Sequence, residues 1–89
     1  MKSQTTEKFR SLVAAAVPER QARVRGAYRL WRENPAHPSL RFKKVHPRLP
    51  IYSVRVDLNW RAVGVLEEET MPWLRVGPHG EYEVLLKAL

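Results

Sequence analysis

The chain has 89 residues, enough for one domain (1–89) and a single hydrophobic core. Sixteen basic against nine acidic residues give a formal charge of +7, which points to an anionic partner such as nucleic acid or an acidic protein. Zero cysteines exclude disulfides and thiolate chemistry, no apolar run approaches a membrane span, and residues 1–7 lack the apolar stretch of a secretory signal, so a soluble cytoplasmic domain is expected.

In chain order, Phe9, Leu12, Val13 and Ala16 fall at helical spacing and predict a helix over 5–16, with Thr5 or Thr6 as its cap. Pro18 interrupts and then opens a second helix, where its missing N–H costs nothing. Val24, Ala27, Tyr28 and Trp31 form the apolar stripe of that helix, with Arg20, Arg23, Arg25, Arg29 and Arg32 opposite, and Asn34-Pro35 ends it. Strands are expected at 39–45, 51–57, 60–67 and 72–77. The prolines of His46-Pro47-Arg48-Leu49-Pro50 keep that segment out of any ladder. Leu58-Asn59 reads as a tight turn and Glu67–Thr70 as a solvated hairpin tip. A short helix over 79–88 carries Tyr82, Leu85 and Leu86. Two helices followed by a run of strands predict an α+β fold: a helical hairpin packed on a four-stranded antiparallel sheet, with a short C-terminal helix.

The strands carry the functional signal. Because successive strand residues turn to opposite faces, Leu40, Phe42, Val54, Val56, Ala62, Leu74 and Val76 can share one face. Arg41, Lys43, Arg55, Arg61 and Arg75 then share the other. A core face opposed to a cationic face suits a small protein that binds a polyanion. Residues 1–50 hold twelve Lys/Arg and three Asp/Glu, while 51–89 hold four and six. The first half therefore supplies the bulk charge, and the second supplies isolated arginines at patterned positions.

Taken together, Leu40-Arg41-Phe42-Lys43-Lys44, Ile51-Tyr52-Ser53-Val54-Arg55-Val56, Trp60-Arg61-Ala62-Val63-Gly64 and Trp73-Leu74-Arg75-Val76-Gly77-Pro78-His79-Gly80-Glu81-Tyr82 resemble the RelE/ParE superfamily of bacterial toxins. The resemblance covers about residues 5–86. It implies a toxin silenced by a cognate antitoxin in a hetero-oligomer. It also implies one of two targets: messenger RNA, cut without a metal or cofactor at the ribosome, or DNA gyrase, inhibited without catalysis. By the same resemblance, Arg61 and Arg55 face the scissile phosphate, Arg75 positions it, His79 transfers a proton and Tyr82 assists. Pro78 and Trp60 depart from the family pattern.

The residue types fit that chemistry. A guanidinium grips phosphate through two hydrogen bonds without losing its charge, and an imidazole can give or take a proton near neutrality. Arg41 and Lys43 are candidate RNA contacts, and Trp73 a candidate stacking platform for a base. A solvated strand face or an antitoxin-docking patch is the alternative for the three arginines. For Trp73 it is a partly buried sheet aromatic. The three histidines show no metal-ligand spacing.

Overall fold

The computed structural model describes residues 2–88, apart from the side chain of Leu85. A strand β1 (Lys2–Thr5) precedes helices α1 (Glu7–Ala14) and α2 (Pro18–Glu33). A 3₁₀ turn at Pro38–Leu40 leads to β2 (Lys43–Lys44), β3 (Ile51–Arg55), β4 (Trp60–Val65), β5 (Thr70–Pro78) and helix α3 (His79–Lys87). The α+β architecture is as expected, but the described sheet has five strands in the order β1-β5-β4-β3-β2. The additional strand, β1, lies parallel to β5, with Lys2 beside Thr70 and Thr5 beside Trp73. Its polar residues show no alternation, so ladder pairing with β5, rather than its own pattern, makes it a strand. Thr5 consequently belongs to β1, and Thr6 caps α1 by accepting a hydrogen bond from the Phe9 amide at 3.1 Å.

The expected strand at 39–45 is also shorter. Ser39 donates its amide to His37 Nδ1 at 3.2 Å, closing the 3₁₀ turn, and Arg41 sits in the left-handed region at φ 47°. That conformation breaks the extended run, and only Lys43 and Lys44 pair with β3.

On the helix side, Val54, Ala62 and Val76 form a row across β3, β4 and β5. With Phe9, Val24, Trp31, Leu40, Met71 and Trp73 they build the main core. Trp31 meets Trp73 and Phe42 edge-on, at centroid separations of 5.2 and 5.7 Å. The parity argument holds on β3, on β4 and, on β5, from Arg75 onward, but fails at Trp73 and Leu74. There Val63 pairs with Arg75 and Gly64 with Trp73, leaving Leu74 as an extra residue in a bulge. The bulge resets the alternation, so Trp73, not Leu74, turns into the core, 2% exposed. Trp73 is therefore no stacking platform for a base. Gly64 makes the bulge possible, because a Cβ there would lie 2.6 Å from the Pro72 carbonyl oxygen. Thr6 secures it from the other side, donating its hydroxyl to the Trp73 and Leu74 carbonyls at 3.3 Å each.

Candidate functional site

The opposite face of the sheet is only half covered. α3 lays Tyr82 and Leu86 over Ile51, Val63 and Val65, forming a second, smaller cluster. Beside this cluster lies an open cleft of about 740 Å³. Arg61, His79 and Tyr82 line it together, with Arg41 and Lys43 along the β2 side. Five of the eight residues expected to serve catalysis or RNA contact thus share one cavity. Arg55 is half-buried directly across the ladder from Arg61. Arg75 lies on the same face of β5 but is exposed and outside the cleft lining. Trp73 lies on the other side of the sheet, in the core.

Arg61 is held by its own turn. Its guanidinium donates to the carbonyls of Asp57 at 3.1 Å and Trp60 at 3.2 Å. Burial, then the neighbouring charges of Arg55 and Arg41, makes the guanidinium a weaker base than usual, with Asp57 partly opposing them. Arginine stays charged regardless, so the cleft holds a partly desolvated cation among like charges. An arriving phosphate would relieve that repulsion.

The turn between β3 and β4 is set by Asp57, which accepts the amides of Asn59 at 2.9 Å and Trp60 at 3.0 Å. Arg20 of α2 reaches across to the same carboxylate at 3.2 Å and lies 4.6 Å over the Trp60 ring. Burial alone would raise the Asp57 carboxyl. The two amides and then Arg20 outweigh it and hold the group below its ordinary value. Arg20, on the side of α2 opposite its apolar stripe, is therefore engaged in the fold.

The same turn anchors the histidine. The His79 amide donates to the Asn59 carbonyl at 2.7 Å, tying the start of α3 to the sheet. His79 Nε2 lies 2.9 Å from Glu83 Oε1, one helical turn on. Tyr82 is 7% exposed and packs its ring against Gly77, where a Cβ would come within 3.3 Å of it. Burial, then Glu81, pushes the Tyr82 hydroxyl up to about 12, with Arg75 opposing. That hydroxyl keeps its proton at neutral pH and can act only as a neutral donor or acceptor.

Sequence reasoning missed other residues of the lining. His46 is buried, and its Nδ1 accepts the amides of Arg48 at 3.1 Å and Leu49 at 2.9 Å, shaping the loop that forms one wall. Lys44 and Arg48 add cations to the rim, and Glu83 stands among them. Only the four-residue spacing from His79 to Glu83 was a readable signal. Among the described residues, no three His, Asp or Glu side chains gather as metal ligands, and no helix is long and apolar enough to cross a membrane.

Comparison with known proteins agrees with this architecture. YafQ from E. coli strain BL21(DE3) superposes with a TM-score of 0.72 at 13% identity, covering 91% of this chain and 96% of that one. A chain of the RelB–RelE antitoxin–toxin complex from Methanococcus jannaschii gives 0.71 at 13% identity, covering 91% and 95%. The YoeB/ParE toxin from Agrobacterium tumefaciens gives 0.68 at 13% identity, covering 89% and 99%. At such identities the likeness is one of fold. No curated protein matches the chain. A family model, the ParE-like toxin domain, matches residues 19–84, most of both helical and sheet layers, and the chain accordingly belongs to that family within the RelE/ParE superfamily of toxins.

Proposed function

We propose that this protein is the toxin of a toxin–antitoxin pair and an endoribonuclease that cuts messenger RNA at the ribosome without a metal ion. The observation that carries this reading is the shared cleft, in which a desolvated arginine, a histidine and a protonated tyrosine lie within a rim of cations. In the reaction, the RNA 2′-oxygen attacks the adjacent phosphorus and gives its proton to His79. Arg61, aided by the charge of Arg55, stabilises the extra negative charge on the phosphoryl oxygens. The bond to the 5′-oxygen breaks, and that oxygen takes a proton from water while the neutral Tyr82 hydroxyl hydrogen-bonds to it as a donor; His79 then gives its proton to the hydroxide left behind. The products are a 2′,3′-cyclic phosphate and a 5′-hydroxyl end. Arg41 and Lys43 hold the flanking backbone.

An antitoxin partner is supported by the RelB–RelE and DinJ–YafQ structures, which are toxin–antitoxin complexes. The +7 charge suits an acidic segment of such a partner. A second reading, a non-catalytic inhibitor of DNA gyrase, is favoured by the ParE-like description of the matching family. Induced expression with mapping of transcript ends separates the two. The nuclease reading expects new ends bearing a 5′-hydroxyl, lost with Arg61→Ala and with His79→Ala. Intact transcripts alongside DNA damage would instead support gyrase as the target.

A further inference from the structure

We infer that Glu83 is a positioning residue for His79, selecting which imidazole nitrogen faces the RNA; this rests on the nuclease reading above. Two observations lead to it. The first is electrostatic. The cleft is lined by six fixed cations, Arg41, Lys43, Lys44, Arg48, Arg61 and Lys87, and by one carboxylate, Glu83. In a groove for a polyanion, a carboxylate repels the ligand and weakens its binding. The contact it makes there is with His79 Nε2, at 2.9 Å, and not with any of those cations.

The second observation is geometric. The backbone of His79 is held by the hydrogen bond that its N–H donates to the Asn59 carbonyl at 2.7 Å, which leaves rotation of the side chain as the remaining freedom. Glu83 removes that freedom by taking Nε2. A carboxylate only accepts, so the neutral ring must carry its proton on Nε2, and Nδ1 is left with a free lone pair. Nδ1 is then the atom that receives the proton of the 2′-hydroxyl. The resulting imidazolium gains from the carboxylate already in contact with it. Arg61 on β4, Lys43 and Lys44 on β2, and Lys87 on α3 also line this cavity. The pair is half-exposed, with side chains 48% and 59% accessible, so the fold itself does not depend on it.

The test uses the full chain, labelled with ¹⁵N at histidine, as wild type, Glu83→Gln and Glu83→Ala. Ring-nitrogen shifts of neutral His79 should show the Nε2–H tautomer in wild type and in E83Q, whose amide oxygen still accepts. E83A should show a mixture. Cleavage of messenger RNA on programmed ribosomes should fall about ten- to hundredfold in E83A, as when a group orienting an imidazole is lost, and recover for the most part in E83Q. Thermal unfolding should be the same in all three. If wild type and E83A cut equally, or share one ring tautomer, the inference is overturned while the nuclease reading stands. A wild type that cuts nothing overturns the nuclease reading and this role with it.

Discussion

On the helix side of the sheet, Trp31, Phe42 and Trp73 meet ring to ring under two helices. On the other side, the same strands present Ser53, Val63 and Arg61 beneath one short helix. Both faces obey the same alternation, so the difference lies in what each can give up to a covering layer. Apolar rows gain by being covered, and α1 and α2 bury the centre of theirs. A row ending in guanidinium groups loses hydration if it is closed over, so α3 covers Ile51 and Val63 and stops short of the cations. The cleft is the part of the sheet that packing could not profitably fill.

The comparison can be broken most severely from the closed side. Trp73→Ala should cost about 3–5 kcal/mol of stability, read from urea unfolding, because it empties the centre of the aromatic cluster. Trp73→Phe should cost clearly less, since the buried indole N–H has no acceptor and its removal leaves nothing unpaired. Retained transcript cleavage in the Phe variant would agree with a purely structural tryptophan.

From the open side, Arg61→Ala should lower the cleavage rate about 10²–10³-fold while leaving the fold assembled, as expected when one transition-state donor is lost. Gly64→Ala tests the seam between the faces. The added methyl meets the Pro72 carbonyl, and a cost of about 1–3 kcal/mol is expected in the same urea assay.

Two titrations follow with opposite signs. Asp57 has a depressed native value, so its contribution is complete above the unfolded value of about 3.9 and is lost as pH falls through the native one. Asp57→Ala should therefore be less stable than wild type at neutral pH and approach it in acid. Tyr82 is raised to about 12, so its contribution is complete below about 10 and fades as pH climbs toward 12. Tyr82→Phe should lose less stability than wild type across that alkaline window. The smallest effect belongs to Arg75→Ala, which should alter cleavage and stability by no more than about 0.5 kcal/mol, as for other surface positions.

Much of this was legible from residue order. The stripe of Val24 and Trp31, the cap at Thr6, and the alternation through Val54 and Ala62 all state their partners locally. So did the gathering of Arg61 with His79, through their resemblance to the superfamily's strand arginine and closing histidine. What escaped notice depends on contacts between distant residues. β1 is a strand because β5 is beside it, and Lys2-Ser3-Gln4-Thr5 carries no pattern of its own. The bulge at Leu74 is invisible to a strict count by twos, which is why Trp73 was assigned to the wrong face. His46 looked idle in a proline-rich loop, yet its ring organises two amides of that loop.

The place of β5 has a consequence for how the molecule comes into being. This strand lies between β4 and β1, with α1 and α3 resting against it. Contacts between positions so far apart in sequence can form only once both segments have been made. Until β5 is in place the N-terminal helices have no complete surface to settle on, and His79 is not held beside Arg61 in the cleft. The aromatic core and the cleft are thus completed by the same strand.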